Sequence, residues 1–206
     1  MKRKIFAALA SVILLLGLLS SESIAEDRYV HRLVSKEAAA RSAVAAGFDQ
    51  AVGTPSEWGG GIKGFGRRLG SAFGTHIIRS TIHYGVSKML HEELDYKRSD
   101  KQGFRQRLSY ALLATVITRK TTTGRETVAV GSISGIVGSA MISRLWHPVR
   151  FHTVASGFSA AGVGFGAEAG INVLREFWPD IRHPHRRVQA NPAPGPGTIP
   201  ESQTSN

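Results

Sequence analysis

The sequence predicts a mainly α protein, a compact bundle of about five helices with Gly-x-x-x-Gly packing faces. Three observations carry that prediction. Apolar residues recur every third or fourth position over most of the chain, which is the period of a helix face. Small residues recur at intervals of four in three separate stretches. The 206 residues include no cysteine, so neither disulfides nor thiolate metal sites can hold the fold and packing must do so.

The chain opens with Lys2, Arg3 and Lys4, continues with an uncharged run from Ile5 to Ser21, and then offers the small residues of Ser23-Ile24-Ala25. Residues 1–25 read as a signal peptide cleaved after Ala25. An uncleaved anchor is the competing reading, against which the run is short for a bilayer core that needs about 20 predominantly apolar residues. Residues 26–182 are then expected to form one helical domain. Residues 183–206, with Pro184, Pro192, Pro194, Pro196 and Pro200, read as a disordered, proline-rich basic tail.

Within the domain, Ser35 precedes an alanine-rich segment from Lys36 to Val52 in which Val44, Phe48 and Val52 share a face, predicting a first helix. Thr54-Pro55-Ser56-Glu57 has the form of a capping box. The glycines from Gly59 to Gly66 predict a loop, since each disfavours a helix by about 1 kcal/mol relative to alanine. A second helix is expected from about Phe65 to the acidic cluster at Glu92. Phe104, Leu108, Leu112 and Val116 mark a third, ending near Arg119 and Lys120. Thr123 with Glu126 looks like a second capping box, opening a fourth helix that Pro148 stops. The fifth runs from about Thr153 to Phe177. A β reading competes for Val128 to Val137 and Phe151 to Val163, which are rich in branched residues and glycine.

The glycine ladders are Gly66, Gly70 and Gly74; Thr127, Gly131, Gly135, Ser139 and Ser143; and Gly162, Gly166 and Gly170. A helix face without side-chain bulk lets a neighbouring backbone approach closely. That serves either a soluble bundle or helices inserted in a membrane.

A formal charge of +11 favours an anionic partner: a membrane surface, an acidic envelope polymer or a protein. Export to the periplasm or cell envelope argues against nucleic acid. Arg144, Arg150, Arg182, Arg186 and Arg187 flank Trp146-His147-Pro148 and Phe177-Trp178-Pro179 and are the candidate anionic-surface residues. His91, Glu92, Glu93 and Asp95 are the one local cluster of metal-ligand types, because His76, His83 and His91 are too widely spaced along a helix axis to share an ion. Gly157-Phe158-Ser159-Ala160-Ala161, followed by Asp180 and His183, imitates a hydrolase nucleophile elbow, but too little chain follows Ser159 to build that fold. No nucleotide loop lies between a strand and a helix, and no cofactor is implied.

Gly66-Arg67-Arg68-Leu69-Gly70, Glu92-Glu93-Leu94-Asp95-Tyr96 and Asn172-Val173-Leu174-Arg175-Glu176-Phe177-Trp178-Pro179-Asp180-Ile181 resemble a group of uncharacterised exported proteins of environmental bacteria over roughly residues 54 to 182. The resemblance implies export and a shared fold, and transfers no functional residue. The sequence therefore points to an envelope protein that binds or scaffolds. A membrane-inserting glycine-laddered protein and a small metal-dependent envelope enzyme are the alternatives, and oligomeric state is not legible.

Overall fold

The computed structural model describes residues 33–182 and is mainly helical. The helices that lie wholly within the described residues are α1 (Lys36–Ala51), α2 (Gly61–Leu90), α3 (Phe104–Leu113), α4 (Val130–Ser143) and α5 (Val154–Arg182). A hairpin of β1 (Ile117–Arg119) and β2 (Glu126–Val128) lies between α3 and α4. The expected signal peptide and proline-rich tail, with Arg186 and Arg187, lie outside the described residues.

α2 packs against α1 and α4, α4 against α5, and α5 against α3. The neighbours run antiparallel: Gly131 at the start of α4 faces Ser87 near the end of α2, and Gly157 at the start of α5 faces Met141 near the end of α4. The core cluster of Ile136, Ala140 and Ala161, flanked by Val137, Ala160 and Phe165, sits between α4 and α5.

α1 begins where expected, with the Ser35 hydroxyl accepting from the Ala38 N–H at 3.1 Å. Its buried face is not the apolar one. Ala38, Ser42 and Ala46 are covered, while Val44, Phe48 and Val52 are exposed. α3 does the same, burying Arg107 and Ala111 and exposing Phe104 and Leu112. In α1 the small residues allow a closer approach to α2. In α3 an ion pair from Arg107 sets the rotation.

The capping box at Thr54 is not used as one. Ser56–Trp58 is a single 3₁₀ turn with no side-chain cap, and α2 starts at Gly61, earlier than its glycines suggest. Arg68 anchors this start. Its guanidinium, 1% exposed, donates to the carbonyls of Thr54 (2.8 Å), Pro55 (2.9 Å) and Gly59 (2.8 Å) and to Gln50 Oε1 (2.5 Å). Gly64 is required beneath it, since a Cβ there would lie 2.8 Å from the Gly59 carbonyl carbon and 2.9 Å from Arg68 Nη1.

The second capping box is a hairpin turn instead. Glu126 pairs with Arg119 across the strands, and Gly124, at φ 67°, lets the turn close through its N–H to the Lys120 carbonyl. Apart from this hairpin, the β-like stretches are helical. α5 also passes through Pro179, where the sequence predicts a stop. Proline removes one hydrogen bond near the helix end, and Arg107 binds the adjacent turn through the Glu176 carbonyl.

Candidate functional site

At one end of the bundle three short segments meet: the Ser56–Trp58 turn, the paired 3₁₀ turns Arg144–Trp146 and Val149–Phe151, and the first turns of α2 and α5. Arg150 Nε lies 2.9 Å from Glu57 Oε1, and Arg150 donates to Ser56 Oγ at 3.2 Å. Trp146 Nε1 donates to Ser71 Oγ at 2.9 Å. The Trp58 and His147 rings stand 5.0 Å apart, with Phe151 edge-on to His147. The Arg150 guanidinium lies 4.6 Å from the centre of the Phe151 ring and that of Arg144 6.0 Å. The result is an aromatic pole held by cations.

His147 is central to this pole, and its Nδ1 donates to the Ser143 carbonyl at 2.7 Å. Burial lowers its pKa from 6.5, Arg144 and His152 lower it further, and the bond to Ser143 opposes them. Burial also lowers the pKa of Arg144. A histidine held neutral in the fold is protonated first in the unfolded chain, so stability declines as pH falls through 6.5 and levels off below the folded pKa. Thermal unfolding followed from about pH 7.5 to about pH 5 should show this decline, and His147→Gln should flatten it. An unchanged slope would remove His147 from the account.

Arg182 does not join this pole. It stacks on Trp178, 5.4 Å from the ring centre, at the far end of α5. A 29-residue helix is about 43 Å long, so Arg182 and Arg150 cannot belong to one patch. The five arginines grouped by sequence thus separate into Arg144 and Arg150 at one end, Arg182 at the other, and two outside the described residues.

A cleft of about 170 Å³ opens beside the hairpin, lined by residues that include His83, Glu93, Tyr96, Lys101, Arg119 and Arg175. The candidate metal cluster lies at its edge but does not converge. His91 ends α2 in the left-handed conformation, at φ 55°, and its carbonyl accepts from the Thr121 N–H and hydroxyl. This turn throws Glu92 inward, where its buried carboxylate accepts from the N–H groups of Val130 (3.1 Å) and Gly131 (2.9 Å). Glu92 thus caps α4 from a distant part of the chain. Glu93 pairs with Lys97, and Asp95 lines the cleft. Among the described residues no group of three or more histidines and carboxylates is placed to hold a metal.

Below the cleft α3 is fastened to α5. Arg107 donates to Glu176 Oε1 (2.8 Å), Asp180 Oδ2 (2.6 Å) and the Glu176 carbonyl (2.5 Å), while Tyr96 (2.8 Å) and the Ser99 N–H (3.1 Å) donate to Glu176 Oε2. Burial pushes the Glu176 carboxyl up, but the hydrogen bonds from Arg107, Ser99 and Tyr96 together hold it below the usual range. The bond to Glu176 raises the pKa of Arg107, and burial with the same carboxylate raises that of Tyr96. With Asp180 committed to Arg107 and Ser159 exposed about 31 Å earlier along the same helix, the imitation nucleophile elbow is not assembled.

Only one ladder is tightly packed. A Cβ on Gly131 would run into Ser87 Oγ, and one on Gly135 would lie 2.9 Å from the Arg79 carbonyl oxygen. Gly74 has only the edge of Trp146 at 4.0 Å, whereas Gly66, Gly70, Gly162, Gly166 and Gly170 have nothing within 4 Å of an added Cβ.

Sequence reasoning missed Arg68, Glu92, Arg107 and Glu176 as organising residues. Each stands beside another polar or charged residue in the sequence, so nothing local marks it as buried, and it takes partners 9 to 69 residues away. No known protein family, curated protein or solved structure matches the chain.

Proposed function

We propose that the chain is an exported cell-envelope protein that acts as a helical binding module for an anionic surface. The observation that carries this reading is the aromatic pole, where exposed Lys63 and Arg67 and half-exposed Arg150 stand beside the aromatic rings, and where the nearby acids Asp49 and Glu57 face Arg68 and Arg150. No acidic residue lies between Glu57 and Glu92 or between Glu126 and Glu168, so α2, α4 and the first half of α5 carry none. Glu57 is already paired with Arg150.

A binding role also fits the uses of the buried charged groups. Arg68, Glu92, Arg107 and Glu176 fasten elements together. Peripheral rather than spanning attachment is favoured because no helix among the described residues is long and apolar enough to cross a membrane.

Fractionation of the tagged protein from its envelope tests the reading. A high-salt wash should release it, since attraction between exposed charges is screened over about 3 Å at 1 M salt. Release by detergent alone would place glycine-laddered helices in lipid. Recovery in the soluble periplasmic fraction without any wash would overturn surface binding.

A further inference from the structure

We propose that the cleft beside the hairpin binds a short hydroxy-carboxylate, its carboxylate held at Arg175 and its hydroxyl on Asn172 and Ser132. This goes beyond surface binding and concerns the opposite half of the bundle.

The acids on the cleft wall are spent within the protein. Glu92 accepts from the first amides of α4, Glu93 pairs with Lys97, Glu126 with Arg119 at 3.6 Å and Glu168 with Arg79 at 2.7 Å. The remaining wall acid, Asp95, is also engaged within the protein. Arg175 and Lys101 line the same cleft, both are exposed, and neither has an acidic partner among the described residues. Lys101 lies over the Tyr110 ring, 5.5 Å from its centre. Arg175 offers the forked geometry that holds a carboxylate through two parallel hydrogen bonds.

Asn172 supplies the other end. Its side chain is 2% exposed, donates to Thr115 Oγ1 at 3.4 Å, and keeps an amide oxygen that accepts nothing among the described residues. Ser132, half-buried on α4, likewise makes no side-chain hydrogen bond among them. Polar groups that face a cleft rather than bulk water favour a ligand that completes their hydrogen bonds. Asn172 on the floor and Arg175 at the mouth are one turn apart on α5, about 4.5 Å along its axis. Leu94, Ile117 and Ala129 add apolar wall for a short carbon chain. A volume of about 170 Å³ is below the roughly 300–1,000 Å³ of pockets for drug-sized molecules, so the ligand is small.

Other small ions suit the cleft less well. A phosphate favours free amides at a helix N-terminus, and α4 gives its first two to Glu92. The ammonium of an amino acid would find the wall carboxylates already committed.

A ligand-observed NMR titration of the full chain with 3-hydroxybutyrate tests the site. Saturable binding with a Kd of about 0.1–1 mM is expected for a molecule of this size. Arg175→Met, at an exposed position, should weaken it about tenfold or more with the circular dichroism unchanged, and Arg175→Lys should recover part of the loss. Butyrate, which lacks the hydroxyl, should bind about fivefold more weakly, and Ser132→Ala should narrow that difference. Lys63→Met, at the far end of the bundle, should bind as the parent does.

No binding of 3-hydroxybutyrate, or binding indifferent to Arg175→Met, would overturn the site. Butyrate binding as tightly as 3-hydroxybutyrate would remove Asn172 and Ser132 from recognition and sink the hydroxy-carboxylate. Tighter binding of 3-aminobutyrate or inorganic phosphate would do the same. Attachment to the envelope is read separately by the salt wash, so either reading can fail alone.

Discussion

Glu176→Ala should destabilise the fold by about 3–5 kcal/mol in urea unfolding, because it leaves the Arg107 guanidinium buried without its principal counter-charge. The carboxylate is fully buried and accepts from Arg107, Tyr96 and Ser99, so its removal also strands two donors of the segment that precedes α3. A hydrophobic replacement of the pair behaves differently. Arg107→Met/Glu176→Leu removes both charges and should recover most of the loss, since two charges brought out of water gain little over well-packed apolar groups. The pH dependence has a definite sign. The Glu176 pKa is held below 4.5, so the stabilisation is complete at neutral pH and disappears as pH falls through the range below 4.5. A loss under about 1 kcal/mol for the single variant would show that the site is a surface ion pair in solution.

Gly131→Ala should destabilise by about 1–3 kcal/mol, whereas Gly166→Ala should stabilise by about 0.4–1 kcal/mol. The two glycines occupy ladders of the same spacing. At Gly131 the added methyl meets Ser87 Oγ, comes within 3.0 Å of the Ser87 backbone nitrogen and crowds Glu92 Oε2 at 3.1 Å. Moving that backbone would also disturb the cap on α4. At Gly166 nothing lies within 4 Å, so alanine only restricts the unfolded chain and improves helix propensity. Chemical denaturation of the two variants beside the parent measures the difference. Equal destabilisation would mean that a further surface packs on Gly166 in solution.

These contrasts explain what was legible in the sequence. Helix periodicity located five helices because local spacing is enough to define a helix, and Ser35 announced the start of α1. It misjudged which faces turn inward, because in α1 and α3 small size or a buried charge, rather than bulk, decided the packing. Thr123 and Glu126 had the right spacing for a cap but the Gly124 turn directed them into a hairpin. The true cap, Glu92, is 38 residues from Val130 and carries no local pattern. The same limit hid Arg68, whose acceptors are mostly backbone carbonyls and therefore independent of residue type. The aromatic pole was half visible: Trp146, Arg144 and Arg150 stood together in sequence, while Trp58, Glu57 and Ile62 reach them only through folding.

The fastening of α3 to α5 also sets a schedule for synthesis. Arg107 precedes Glu176 by 69 residues. At about 5–20 residues per second, a ribosome adds the second partner roughly 3–14 s after the first. During that interval α3 has no counter-charge to receive its arginine. α3 consequently lacks its anchor until nearly all of α5 has been made, while α1, α2 and α4 can pack on one another before then.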